Sequence, residues 1–311
     1  SSMTLEPLAG MTPDGEHYTR LAAEIPTLEN GGIAEDLKSV TWKLQEGLKW
    51  SDGSPVTAED VVFTGQYCMD PEGGCSQLAK FEGIESIEAV DDLTVRINFT
   101  NPMPDPYSAF VGSQSPILQK AQFQNCLGAN APTCTDQNFN PIGTGPFRVT
   151  RFLTNDVITF EANPEYRDPM KPAFATATIK GGGDAAAAAR SVLETGEYDY
   201  AWNTQLAPDV IAGMEQMGRG TVSAAFGSLV ERIHVNLTDP SPNLPEGERS
   251  TTAHPHPFLT DPAVRRALSM AIDRPILAEL AYGPAGKPTC TIVPVPLDFT
   301  SGRDDCLKQD I

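Results

Sequence analysis

Basic residues are scarce in this chain of 311 residues, which has 22 lysines and arginines against 41 aspartates and glutamates and a formal net charge of −19. Binding to nucleic acid needs clustered basic side chains that neutralise phosphates, so the composition argues against nucleic acid as a partner. An acidic excess is typical of a soluble protein, and a cationic ligand is a second interpretation. Because the acidic residues are dispersed along the chain, charge alone does not identify a ligand.

Long apolar runs are also absent. No stretch of about 18 apolar residues occurs, so the sequence predicts no segment that spans a membrane. Residues 1–4 are followed directly by ordinary sequence, without a signal peptide. If the protein is exported, we expect that this chain has been processed or trimmed. A length of 311 residues predicts about two domains, because domains average roughly 150 residues.

Motifs for catalysis and metal binding are missing as well. The sequence has no Gly-x-Ser-x-Gly nucleophile elbow and no His-Glu-x-x-His zinc motif. Gly181–Asp184 contains three glycines before a predicted helix, but it lacks the Gly-Lys-Ser/Thr ending of a phosphate-binding loop. His254 and His256 stand in a proline-rich loop, where we expect solvated side chains rather than a metal site. We therefore expect no enzyme, no cofactor and no bound metal.

The six cysteines have no Cys-x-x-Cys spacing, which disfavours a zinc site. They form three local pairs with turn-forming residues between the members: Cys68 with Cys75, Cys126 with Cys134, and Cys290 with Cys306. Oxidation of pairs at this spacing stabilises a protein by about 2–4 kcal/mol each in the chain-entropy model. The favoured interpretation is three disulfides and an oxidising compartment, and six free buried cysteines are the alternative.

Periodicity and capping residues predict a mixed α/β or α+β fold. Strands are expected over residues 40–44, 93–99, 147–152 and 157–161, with the last two in a hairpin. Helices are expected after an N-cap at Thr57, at Asp184, and at Thr260 or Asp261, with a further helix starting near Pro208. Asp60 stands three residues after Thr57, in a near capping box. Between residues 101 and 141 periodicity fades, and we expect a surface segment held by the Cys126–Cys134 disulfide.

Two strand-like segments carry the candidate binding residues. Alternation within Glu197–Asn203 places Trp202 at the end of a strand beside Asn203, where a side chain facing a cleft is expected. Alternation within 232–237 places Arg232 and His234 on one polar face, opposite an apolar face. A polar strand face normally meets water, but it forms a ligand-binding wall if the strand borders a cleft.

Three motifs, in the same order along the chain, resemble those of the family 5 extracellular solute-binding proteins, the class that serves peptide, nickel and opine importers. Residues 47–63, Gly-Leu-Lys-Trp-Ser-Asp-Gly-Ser-Pro-Val-Thr-Ala-Glu-Asp-Val-Val-Phe, are similar to the family's turn-and-helix stretch. Residues 141–147, Pro-Ile-Gly-Thr-Gly-Pro-Phe, match its glycine-rich boundary. Residues 259–273 are similar to a family helix with the pattern Asp-x-x-Val-Arg-x-Ala-Leu-x-x-Ala-Ile-Asp.

The resemblance implies an α/β, two-lobed periplasmic-binding-protein-like (type II) fold, with the first lobe nearly complete and the second truncated. Residues 1–140 would form a flanking domain of the first lobe with an incomplete N-terminus. Residues 141–237 would form its central sheet domain, and residues 238–311 the start of the second lobe. The implied protein is a monomer that is periplasmic or extracellular, with a lipid anchor before trimming as an open alternative.

The resemblance also implies a function. Such a protein binds a small solute, for example a peptide or an opine, and delivers it to the membrane permease of an ABC transporter. Ligand contact carries over to Trp202, Asn203, Arg232 and His234, and an Arg–His pair suits a carboxylate-bearing solute. A sensory or chaperone-like binding module on the same fold is the alternative, since fold does not fix function. A hydrolase is a third possibility, but it needs a nucleophile–base pair that the sequence does not show.

Overall fold

The computed structural model describes residues 3–12, 15–224, 229–293, 301–303 and 305–307. The strands in this part of the chain are β1 (Ala9–Met11), β2 (His17–Thr19), β3 (Ser39–Lys43), β4 (Ile84–Asp91), β5 (Thr94–Phe99), β6 (Phe147–Leu153), β7 (Val157–Ala162) and β8 (Thr176–Lys180). The α-helices are α1 (Ala58–Met69), α2 (Lys120–Phe123), α3 (Thr135–Phe139), α4 (Ala185–Leu193), α5 (Pro208–Glu215), α6 (Pro262–Met270) and α7 (Arg274–Tyr282).

The chain divides into two compact units. Unit 1 comprises residues 1–12 and 16–182, and unit 2 comprises residues 13–15 and 183–311. Strands β1 to β8 belong to unit 1, and helices α4 to α7 belong to unit 2. The domain boundaries at 140/141 and 237/238 stay predictions. Within the described ranges, no helix is both long and apolar enough to cross a membrane.

The core of unit 1 is built on an antiparallel sheet in the order β3–β5–β4. Val40 pairs with Ile97 and Trp42 pairs with Val95, and all four side chains are fully or almost fully buried. Alternation explains this burial, because successive residues of a strand point to opposite faces. The predicted strands over 40–44 and 93–99 are confirmed, whereas β4 was not predicted, since its apolar positions alternate less regularly.

Helix α1 begins at the predicted N-cap, and the predicted capping box is present. The carboxylate of Asp60 accepts a hydrogen bond from the backbone N–H of Thr57 at 3.0 Å. It also accepts from the indole Nε1 of Trp50 at 3.2 Å and from the backbone N–H of Lys120 at 2.8 Å. Asp60 is 6% exposed. One buried side chain therefore joins the turn before α1, the start of α1 and the start of α2.

A second antiparallel sheet has the order β6–β7–β8, and the predicted β6–β7 hairpin is confirmed. The glycine-rich motif before β6 lies against the N-terminal segment. Gly145 N–H donates to the carbonyl of Thr4 at 2.8 Å. A Cβ atom at Gly143 would collide with the same carbonyl oxygen, and one at Gly145 would lie 2.6 Å from that of Met3. The motif needs glycine because two backbone segments pass each other at contact distance.

A buried ion pair reinforces this junction. Glu6 is 2% exposed and accepts hydrogen bonds from Arg167 at 2.6 and 3.0 Å in a bidentate arrangement. Burial opposes the charge of the Arg167 guanidinium, but the hydrogen bond and charge of Glu6 outweigh it, so the pKa of Arg167 is raised. The chain just before β1 is thus tied to the chain just after β7.

The segment from residue 101 to 141 is not the surface segment that its irregular sequence predicted. Phe110, Ile117 and Phe123 are at most 2% exposed, and the first two belong to the main core cluster of unit 1. The prediction was wrong because it equated lost periodicity with exposure. An irregular chain can bury isolated apolar side chains when its polar backbone groups find partners elsewhere, as Leu8 N–H does with the Phe110 carbonyl at 3.0 Å.

The three predicted disulfides are confirmed. Cys68–Cys75, Cys126–Cys134 and Cys290–Cys306 are bonded, with Cα–Cα distances of 5.0, 5.9 and 5.5 Å. Cys126 is fully buried in a cluster with Phe63 and Phe123. No group of three or more metal-ligating side chains occurs within the described ranges.

Unit 2 has the helices that the sequence predicted. The Asp184 side chain caps α4 by accepting from Ala187 N–H at 2.7 Å, and Asp261 caps α6 by accepting from Ala263 N–H at 2.8 Å. Gly196 follows α4 with a φ of +69°, and α5 starts at Pro208. A small core joins α4 to α5 through Ala189, Leu193 and Met214.

Candidate functional site

The two segments that carry the candidate residues are not strands. Residues 197–203 and 232–237 contain neither helix nor strand. Alternation favours a strand only where a neighbouring backbone supplies hydrogen bonds. Within the described part of the chain, the backbone of 232–237 receives one such bond, from His256 N–H to the Leu237 carbonyl at 2.8 Å. The strand predictions were therefore wrong, and the apolar residues Ile233, Val235 and Leu237 are exposed like the polar residues between them.

Trp202 lies in an irregular stretch, just before a turn at Asn203. Its side chain is 79% exposed, which excludes packing in a core. The next residue, Asn203, has a φ of +56°, and its carbonyl accepts from Gln205 N–H at 3.0 Å. Asparagine tolerates this left-handed conformation better than most residues, so the sequence suits the turn. The exposed indole of Trp202 and the primary amide of Asn203 are therefore side by side at this turn.

Arg232 and His234 contact each other directly. Arg232 Nε donates to His234 Nε2 at 2.5 Å, so both side chains lie on the same side of the chain, as predicted. With Nε2 engaged by Arg232, Nδ1 is the ring nitrogen that remains for another contact. Both residues are exposed. The guanidinium retains its Nη donors, which have the geometry to bind a carboxylate in two places.

The structure brings together the members of each pair but does not join the pairs. Trp202 and Asn203 are neighbours in sequence, and Arg232 and His234 share a hydrogen bond. Among the described residues, no hydrogen bond, ion pair or ring contact links one pair to the other. All four residues belong to unit 2 and all four are exposed. Their placement in a ligand cleft stays a prediction.

Two further residues beside this site were not found from the sequence. The Tyr282 hydroxyl, at the end of α7, donates a hydrogen bond to the carboxylate of Glu231. This contact attaches the residue before Arg232 to a helix, which fixes where the arginine segment begins. No spacing rule connects positions 231 and 282, so only the structure could show it. Leu229 and Ile233 are also highly exposed and add apolar surface beside the basic pair.

Comparison with known proteins identifies the class. The family model described as "Bacterial extracellular solute-binding proteins, family 5 Middle" matches residues 20–305. Protein XP55 of Streptomyces lividans is 29% identical over 309 residues, which cover 94% of this chain and 50% of that protein. The glutathione-binding protein GsiB of Shigella boydii is 26% identical over 272 residues, covering 87% of this chain and 48% of that protein. The chain spans about half the length of these curated relatives.

The chain belongs to family 5 of the bacterial extracellular solute-binding proteins. Its fold agrees with that of a solved member of the class. The crystal structure of the ABC transporter substrate-binding protein CtaP from Listeria monocytogenes superposes with a TM-score of 0.72 at 24% identity. The match covers 99% of this chain and 57% of CtaP. The predicted α/β fold of the type II periplasmic-binding-protein class is confirmed.

Proposed function

We propose that this protein captures a small solute outside the cytoplasmic membrane and delivers it to the permease of an ABC importer. The observation that carries the proposal is the family match over residues 20–305. The three disulfides support it, because such bonds persist in oxidising, extracytoplasmic compartments. The name of one similar protein, a glutathione-binding protein, favours a peptide or a related compound as the solute. An opine is the alternative that the family resemblance implied.

The solute would bind against Trp202, Asn203, Arg232 and His234. The exposed indole of Trp202 offers an apolar plate, and covering it with a solute contributes about 2–3 kcal/mol. The guanidinium of Arg232 offers paired donors to a carboxylate, and the imidazole of His234 lies beside it. This donor set favours a solute with an apolar group and at least one carboxylate.

Identification of a copurified solute tests the binding function. The protein would be purified from its native organism at the length that its gene encodes, then denatured and analysed by mass spectrometry for released small molecules. We expect one carboxylate-bearing compound in near-stoichiometric amount. Turnover of peptides or sugars by the same preparation would instead indicate a hydrolase, and retention of unfolded polypeptides would indicate a chaperone-like module.

Uptake measurements test delivery to an importer. Deletion of the gene should abolish uptake of the isotopically labelled solute by intact cells. Re-expression of the parent protein should restore it. Unchanged uptake, together with a lost transcriptional response to the solute, would favour a sensory module over an importer component.

A further inference from the structure

Unit 1 contains a cavity of about 320 Å³ beside the Cys68–Cys75 disulfide. We name it the Ser115 cavity after the serine whose hydroxyl is argued below to bind a ligand. Aromatic and aliphatic side chains form much of its wall, among them Tyr67, Phe81, Phe110, Leu118 and Phe123. Binding pockets for small molecules are typically apolar clefts of about 300–1,000 Å³ with a few polar groups. The Ser115 cavity lies at the small end of that range.

The cavity has no charged wall. Among the described residues that line it, none is an aspartate, glutamate, lysine, arginine or histidine. A charged ligand would lose part of its hydration there without gaining an opposite charge, which is unfavourable. The wall therefore selects against ions and in favour of neutral molecules.

Ser115 supplies an unused polar group. The residue is 6% exposed, and its Oγ has no hydrogen-bond partner among the described residues. Buried hydroxyls almost always have a partner, so this one calls for a functional explanation. The oxygen is buried in its present rotamer, so it contacts a molecule in the cavity only after rotation about χ1, and this rotation breaks no hydrogen bond.

Phe110, in the wall of the cavity, has an unusual backbone conformation. Its φ is +60° although it is a bulky, fully buried residue, and its ring meets the ring of Phe81 edge-on with centroids 5.2 Å apart. A left-handed conformation is unfavourable for such a residue and is concentrated at ligand sites. Tyr67 and Phe123 make a second edge-on pair at 6.3 Å. Walls of this kind favour a flat aromatic ligand.

We propose that the Ser115 cavity is a second binding site, for a neutral aromatic molecule of at most about ten heavy atoms with one hydrogen-bonding group. The size follows from the volume, since a water molecule occupies about 30 Å³ of liquid. Phenol and indole are members of this chemical class. The site lies in unit 1, whereas the four residues of the proposed solute site lie in unit 2. A result that refutes one of the two proposals therefore leaves the other untouched.

A comparison of phenol with toluene tests the site, because the two differ only in the hydrogen-bonding group. Binding to the purified protein would be measured by ligand-observed NMR, with methyl shifts of Leu5 and Leu118 reporting the location. We expect saturable binding of both probes with a Kd on the order of 1 mM, as ligand efficiency allows for such small molecules. Ser115→Ala should weaken phenol binding about fivefold and leave toluene binding unchanged within about twofold.

Three controls distinguish a specific loss of ligand binding from a general loss of folding. Ser108→Ala removes a hydroxyl of unit 1 outside the cavity, one that donates to the Lys80 carbonyl, and it should change neither affinity. Benzoate and benzylammonium should not bind. The melting temperature of Ser115→Ala should equal or exceed that of the parent, because no hydrogen bond is lost. Lack of saturable binding of both neutral probes, an equal loss for phenol and toluene in Ser115→Ala, or phenol binding that the substitution does not weaken would overturn the proposal.

Discussion

Asp60 accepts hydrogen bonds from three donors at a nearly solvent-free position, so its loss affects more than one element. Replacement by alanine would leave the indole of Trp50 and the N–H groups of Thr57 and Lys120 without an acceptor. Buried donors without partners are costly, and hydrogen bonds to a charged group are stronger than average. The sequence predicted the capping role of Asp60, but its contacts with Trp50 and Lys120 depend on tertiary packing.

We expect Asp60→Ala to reduce the free energy of unfolding by about 3 kcal/mol, measured by urea denaturation. Glu59→Ala is the matched control. Glu59 also lies in the first turn of α1, but it is exposed, and its ion pair with Lys120 Nζ at 2.8 Å is a surface pair. Such pairs contribute at most about 1 kcal/mol. Equal losses in the two variants would contradict the role assigned to Asp60.

At the scale of elements, the glycine-rich motif before β6 acts through its backbone. Gly143→Ala places a methyl group on the Thr4 carbonyl, and a backbone atom cannot move aside as a flexible side chain can. We expect a loss of about 3 kcal/mol in stability, measured by thermal unfolding. Gly183→Ala is the control, because a Cβ atom there meets nothing within 4 Å. A Gly143→Ala protein as stable as this control would show that the motif is not needed for packing.

The disulfides are a second prediction at this scale. Peptide mapping without reductant should recover the three linked pairs and no alkylatable cysteine. The double variant Cys126→Ser and Cys134→Ser should lose about 2.5 kcal/mol, as loop-closure entropy predicts for this short loop. Six alkylatable thiols in the native protein would contradict both the pairing and the oxidising compartment.

Features that depend on residues close together in the sequence were predictable, and features that depend on residues far apart in the sequence were not. Asp184 and Asp261 cap their helices as predicted, since each contact spans two or three residues. The irregular segments at 197–203 and 232–237 show where this stops. Their alternation is strand-like, but a strand also needs a paired backbone, which a single sequence does not specify. For the candidate site, the Arg232–His234 contact follows from a spacing of two residues, whereas the bond between Tyr282 and Glu231 spans 51 positions.

At the scale of the whole molecule, the family assignment draws on several observations, each of which is weak evidence for a class of protein when taken by itself. An acidic composition and an irregular, disulfide-bonded segment fit many classes of protein. The ordered motifs at 47–63, 141–147 and 259–273 and the family match over 20–305 select one class. The motifs also have physical explanations in the structure: a capped helix with a buried Asp60, a close backbone crossing at Gly143, and a helix capped by Asp261. These explanations concern folding, so the identity of the solute rests on the exposed residues of unit 2.

The most direct test of the proposed function is a calorimetric titration of the protein, at its encoded length, with the solute identified by mass spectrometry. We expect Trp202→Ala and Arg232→Ala each to weaken binding at least tenfold, which corresponds to about 1.4 kcal/mol. Arg266→Ala, an exposed arginine of α6 in the same unit, should bind as the parent does. Parent-like affinity in both the Trp202 and the Arg232 variants, with folding intact, would contradict the binding site proposed here.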